Sequence, residues 1–251
     1  MLSFDPVFFA LAIPAVTFAG ISKGGFGSGA AFAATPILAL AVEPATALGL
    51  MLPLLMLVDL ATLGPYWRKW DGLAARRLIL GSVPGVALGA MLYRLADPDL
   101  FRLLIGGIAI AFVAWQLSVR LRLVRFRARP FPPAAGGLAG LAAGFTSFVS
   151  HAGGPPVAVY MLSLGLGKTA FQATTVLTFW VINILKFGPY AAMGIFTWDT
   201  AKADLMLAPF ALIGAWLGVR AHWLVPERLF FAITYVLLVL TGSKLIWDAL
   251  G

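Results

Sequence analysis

Four ionisable side chains interrupt stretches that are otherwise apolar: Lys23, Asp59, His151 and Lys186. Lys23 lies in a glycine-rich break, Ser22-Lys23-Gly24-Gly25-Phe26-Gly27-Ser28-Gly29. His151 lies in a second break, Ser147 to Pro156, which contains Gly153 and Gly154. An ammonium and an imidazole in such settings suit a compact anion. Glycines let the backbone approach a ligand closely. A helix starting just after a break would present unpaired N–H groups and about half a positive charge. Ser28 is a candidate N-cap for the helix after the first break, and Pro155 a first-turn residue of the helix after the second. The candidate ligands of an anion are therefore Ser22, Lys23, Gly25, Gly27, Ser28, His151, Gly153, Gly154, Gln172 and Lys186. Each has a competing role. Lys23 can pair with Asp59 or snorkel to an interface, as can Lys186 near Gly188-Pro189, and the glycines can serve only tight helix packing. Asp59 and His151 are the candidates for a coupling proton, since imidazole changes charge near neutral pH. Asp59 reads first as a partner for a lysine.

The elements that must position these groups are membrane helices. Hydrophobic residues make up 61% of the 251 residues and charged residues 11%, with a mean hydropathy of +0.95. A soluble domain has roughly 45–50% apolar and about 25% charged residues. Apolar segments fall near 6–22, 28–42, 44–64, 78–95 and 100–120, then near 131–148, 153–166, 170–191, 203–223 and 229–248. Several approach the roughly 20 residues that cross a bilayer core. The expectation is an all-α polytopic membrane protein without a soluble domain. The first segment carries Asp5 and lacks a basic leader, so it reads as a span and not a cleaved signal. Pro44 and Pro98 suit first helical turns, whereas Pro14, Pro36, Pro53, Pro84 and Pro209 should kink or interrupt their helices. Tyr66, Trp67, Trp70, Tyr93, Trp115, Trp198, Trp223 and Trp247 read as an interfacial belt.

The two halves repeat. Ala19-Gly20 recurs as Ala143-Gly144, and Gly64-Pro65-Tyr66 as Gly188-Pro189-Tyr190, both 124 residues on. After one inserted residue, Pro84 falls on Pro209 and Gly89-Ala90 on Gly214-Ala215; further on, Pro98 meets Pro226 and Phe101 meets Phe230. The expected units are 1–130 and 131–251, each with about five hydrophobic segments of which the first two are short and glycine-broken.

The charge bias swaps between the halves. Loop 66–77 carries Arg68, Lys69, Arg76 and Arg77, whereas its equivalent 192–204 has Lys202 against Asp199 and Asp204. The acidic tip Asp97-Pro98-Asp99 corresponds to 219–228, with Arg220 and Arg228 against Glu227. Such a swap predicts two inverted-topology repeats, the arrangement in which secondary transporters bind substrate at broken helices near the midplane.

Half of the 18 basic residues behind the net charge of +8 sit in loop 66–77 and in the stretch Arg120 to Arg129. That clustering marks the cytoplasmic side and argues against nucleic acid; an anionic-lipid contact is compatible. There is no cysteine and there are two histidines, His151 and His222, which speaks against thiol chemistry and a metal centre. No HExxH, nucleophile elbow or GxxxxGK[ST] is present, so neither an enzyme nor an ATP-driven pump is expected, and no cofactor.

The stretches Gly20 to Gly29, Gly144 to Ser147 and Gly153 to Pro156, with the basic loop between them, resemble the TauE/SafE sulfite exporter family over nearly the whole chain. The resemblance implies transport of small sulfur oxyanions or organosulfonates such as sulfite, sulfoacetate or thiosulfate across a bacterial cytoplasmic (inner) membrane. The partners it implies are a small anion and membrane lipid, with a homodimer left open. Alternating access is the leading mechanism, with uphill transport drawing on an ion gradient, protons before others, or export following the membrane potential alone. The alternatives are a passive anion channel on the same scaffold and a non-transporting membrane scaffold or sensor.

Overall fold

The computed structural model describes residues 4–26, 31–121, 131–221 and 227–251. Among these residues the regular structure is entirely helical: α1 (Pro6–Gly25), a 3₁₀ turn (Ala31–Ala33), α2 (Ala34–Leu38), α3 (Pro44–Leu63), α4 (Gly72–Leu95), α5 (Pro98–Arg120), α6 (Pro133–Ser150), α7 (Gly154–Ser163), α8 (Lys168–Ala192), α9 (Trp198–Ala221) and α10 (Glu227–Leu250). By length and composition α1, α3, α4, α5, α8 and α9 can each cross a membrane. Leu80, Met91, Leu205, Ile213, Val236 and Leu240 are exposed on the outside of the bundle. That surface suits hydrocarbon, because a helix that satisfies its own backbone groups needs no water there. The chain is an integral membrane protein.

Local chemistry sets the helix ends. Pro44 and Pro98 occupy the first turns of α3 and α5, where no backbone donor is lost. Carboxylates cap three helices: Asp5 accepts from Phe8 N, Asp71 from Ala74 N and Asp97 from Leu100 N, each at 2.7 Å. The Asp71 cap starts α4 at Gly72, so Arg76 and Arg77 lie in its first turns and not in a loop. The helices run on through Pro14, Pro53, Pro84 and Pro209. Of the two outcomes expected at these prolines, interruption does not occur in these four helices.

The principal pairings keep their form when each helix is exchanged for the one five places along. Helix α1 packs on α9 as α6 packs on α4; α3 packs on α9 as α8 packs on α4; α3 meets α8, and α5 meets α10. Glycines bring the first two pairs to backbone contact. A Cβ on Gly20 would lie 2.6 Å from the Ala211 carbonyl, and one on Gly144 would lie 2.3 Å from that of Ser82.

Helices α1 and α6 both end in the interior, with Ser22 to Gly25 and Ser147 to Ser150 buried. Helix α7 then folds back along α6: Tyr160 packs on Gly136, and the amide of Phe131 donates to Ser163 Oγ at 3.5 Å. The α6–α7 unit thus starts and finishes at the same end of the bundle as a helical hairpin. Helix α2 likewise packs back on α1.

Candidate functional site

The interior ends of α1 and α6 gather the ionisable side chains. Lys23, in the last turn of α1, forms an ion pair with Asp59 of α3, Nζ to Oδ1 2.5 Å. Charge and not a well-angled hydrogen bond holds Oδ1, which lacks a bond of good geometry. The other oxygen, Oδ2, accepts from Asn183 Nδ2 of α8 at 2.6 Å. Gln172, also on α8, donates to the Lys23 carbonyl at 2.7 Å. The Lys23 ammonium lies 6.0 Å from the centroid of Phe179.

At the end of α6, Lys186 of α8 makes three contacts: Ser147 O at 3.1 Å, Ser147 Oγ at 2.9 Å and His151 Nδ1 at 2.8 Å. His151 Nε2 lies 3.2 Å from the Leu48 carbonyl. A carbonyl only accepts, so Nε2 carries hydrogen; with the imidazole neutral, Nδ1 is then free to accept from Lys186. Lys186 therefore donates to His151 Nδ1. Lys23 is 5% exposed, His151 7%, and Asp59 and Lys186 0%. None of the four snorkels. Lys23 sits in the last turn of α1, and the Lys186 ammonium reaches the last turn of α6, where the helix dipole favours a cation.

His151 is held at φ 56°, the left-handed conformation, as the residue that ends α6. Glycine takes that position most easily, and the residue 124 places earlier is Gly27. A side chain with Cβ is thus tolerated there at a cost, with both ring nitrogens engaged.

Two tyrosines complete the frame in parallel fashion. Tyr66 Oη donates to Gly24 O at 3.0 Å, and Tyr190 Oη to Phe148 O at 2.5 Å. Both pairs are separated by 42 residues, and both tyrosines close a Gly-Pro-Tyr triplet. Each supplies a donor to a carbonyl at a helix end that the helix itself leaves unpaired. Tyr66 is therefore a buried support of α1 and not part of an interfacial belt. Trp67, Trp198 and Trp247 are exposed as a belt requires, whereas Trp223 lies outside the described residues.

The structure brings Lys23, Gln172, His151 and Lys186 to the two interior ends, with Asp59 between α1 and α8. Ser22 is fully buried one residue before Lys23. Gly25 packs on the backbone of Gly218, and Gly153 packs between Phe179 and Ser147, so both serve close packing in this conformer. Gly154 opens α7. Gly27 and Ser28 lie outside the described residues.

The two short helices start differently. Helix α2 begins at Ala34, well past Ser28, has Ala33 in place of a capping side chain and is 5 residues long. Helix α7 begins as expected with proline in its first turn. Pro155 and Pro156 carry no N–H, however, which removes two of the donors a helix start normally offers. The charged groups at the two interior helix ends are the side chains of Lys23, Asp59 and Lys186. Ser147, Asn183, Tyr66 and Tyr190 escaped the sequence reading as site residues. The repeat itself held the signal, for Ser147 and Asn183 stand 124 residues after Lys23 and Asp59.

The molecule is thus a polytopic helical bundle with buried lysines where two of its helices end inside. The family model "Sulfite exporter TauE/SafE" matches residues 12–245. The chain belongs to this family, and its substrate class is accordingly a small anion. No curated protein and no solved structure matches the chain significantly.

Proposed function

We propose that the protein is a secondary transporter, and an exporter, of small sulfur oxyanions or organosulfonates such as sulfite or sulfoacetate across the bacterial cytoplasmic membrane. The two halves, 1–130 and 131–251, act as inverted-topology repeats that exchange inward and outward states around the interior helix ends. The reading rests on one observation above all: two ammonium groups and one carboxylate are buried together where the two broken helices end. Buried charge inside a membrane is costly and generally serves function. The exchangeable helix pairings support the repeat, and the swap of charge bias between the halves supports its inversion. Substrate is held by Lys23 and Lys186, with Ser22, His151 and Gln172 beside them, and a coupling proton resides on Asp59 or His151.

The test is thermal stability of the purified protein against sulfite, sulfate, thiosulfate, sulfoacetate, taurine and chloride. A ligand that binds only the folded state raises stability with its concentration. A selective rise that disappears in Lys23→Ala supports the reading. No rise with any anion would sink it.

A further inference from the structure

The buried charges of the site do not cancel. Among the described residues the buried charged side chains are Lys23, Asp59 and Lys186, with His151 able to take a proton. Lys23 and Asp59 sum to zero across their ion pair. Both oxygens of Asp59 are occupied, one by Lys23 and one by Asn183. Among the described residues no carboxylate lies at ion-pair distance from Lys186, and its contacts there are a carbonyl, a hydroxyl and an imidazole nitrogen. Lys186 lies one turn along α8 from Asn183, whose amide holds the Asp59 carboxylate that pairs with Lys23, so the contacts run unbroken through the four groups and join them in one electrostatic unit.

A lone cation in a closed apolar interior is costly, and a bound charge of opposite sign lowers the cost. With Lys186 protonated, a bound monoanion brings the unit to zero, whereas a dianion leaves it one charge negative. The count holds wherever the anion sits within the unit, because it depends on the sum. The second half-site shows which residue sets that sum. Position 59 holds a carboxylate, and the matching position 183 holds the neutral amide of nearly the same shape. The two side chains are in direct contact at 2.6 Å.

Resting on the anion-transport reading above, we infer that the site selects by charge. It takes singly charged compact oxyanions, such as an alkanesulfonate or hydrogensulfite, over doubly charged ones such as sulfate, thiosulfate or sulfoacetate. Asp59 fixes that preference by cancelling one of the two lysines. Within the proposed substrate class, sulfoacetate then falls outside and sulfite travels as hydrogensulfite.

The test is equilibrium binding of methanesulfonate and sulfate to the full-length protein in lipid nanodiscs, because each keeps its charge across neutral pH. The wild type should bind methanesulfonate at least about ten-fold tighter than sulfate, a margin of one decade in Kd. In Asp59→Asn the unit carries two positive charges, and the ratio should move toward sulfate by about ten-fold or more. Lys186→Met should lose methanesulfonate binding. A wild type that binds sulfate as tightly as methanesulfonate overturns charge selection even if no variant folds. An Asp59→Asn protein with an unchanged ratio overturns the role of Asp59. Binding of neither anion, nor of any other in the panel above, overturns the transport reading itself and is thereby distinguishable.

Discussion

Asp59 and Asn183 stand 124 residues apart at equivalent positions of the two halves, and their side chains hydrogen-bond to each other at 2.6 Å. Positions exchanged by a twofold rotation touch only where the axis passes. On the proposed reading of two inverted repeats, their contact would mark the line about which the halves exchange, between α3 and α8. Asn183 lies 15 residues into α8 and 9 from its end, or roughly 22 Å and 13 Å along the helix at 1.5 Å per residue. A carboxylate at that depth needs partners, and it has a lysine on one oxygen and an amide on the other.

Removing Asp59 strands Lys23. In Asp59→Ala the ammonium keeps its burial and loses its ion-pair partner, and breaking a buried pair in this way costs about 3–5 kcal/mol. Replacing both members by apolar residues of similar size is often neutral, so Lys23→Met with Asp59→Leu should recover most of the stability. The double variant should also lose the stabilisation by anions. Unfolding titrations in detergent measure the first effect and thermal shifts the second. A single variant as stable as the wild type would show that the pair carries no such weight.

The fold was largely legible in the sequence because membrane helices advertise themselves through length and apolarity. Most of the apolar segments match helices within a few residues, and Pro44 and Pro98 mark the starts of α3 and α5, whereas the segment expected at 28–42 holds, among the described residues, only a 3₁₀ turn and the five-residue α2. Boundaries slipped where a polar cap outweighed hydropathy, as at Asp71, which draws α4 back over Arg76 and Arg77. The ionisable members of the site were legible too, since charge is conspicuous in an apolar run. What hydropathy could not supply was direction. Nothing in the composition of Tyr66 separates an interfacial ring from a buried donor 42 residues from its acceptor. Nor does a Gly-Gly-Pro-Pro run say whether its glycines face a ligand or a neighbouring helix, which is a matter of register between α6 and α8.

The paired tyrosines should be worth similar amounts. Tyr66→Phe and Tyr190→Phe each remove the donor to a buried helix-end carbonyl, and leaving such a group unsatisfied costs about 1–3 kcal/mol. Both variants should unfold at lower denaturant while keeping the protein monodisperse. Wild-type stability in either variant would mean that its carbonyl finds another donor.

His151 tests the backbone separately from the ring. Its left-handed conformation costs a residue with Cβ about 1–2 kcal/mol relative to glycine. His151→Gly and His151→Ala lose the same contacts to Lys186 and Leu48, yet the glycine variant should be the more stable of the two by about 1 kcal/mol. Comparison of their unfolding midpoints decides it. Equal midpoints would show that the position adjusts out of the left-handed region.

Recurring glycines at two sets of positions invite the same explanation but have different surroundings. Gly20 and Gly144 lie where helices meet backbone to backbone, and a methyl group there would come within 2.6 and 2.3 Å of a neighbouring carbonyl. Neither carbonyl can give way without moving its helix, so Gly20→Ala and Gly144→Ala should each cost about 1–3 kcal/mol through overpacking. Gly64 and Gly188 head the repeated Gly-Pro-Tyr triplets, yet nothing lies within 4 Å of a methyl group at either. Gly188 is inside α8, and alanine is better than glycine in a helix interior by roughly 0.5–1 kcal/mol. Gly188→Ala should therefore be neutral or stabilising, and Gly64→Ala close to neutral. Parallel unfolding curves for the four variants read the contrast directly. If Gly188→Ala proves as damaging as Gly144→Ala, the glycine of the triplet answers to a second conformation, in which α8 packs closely against something it does not touch here.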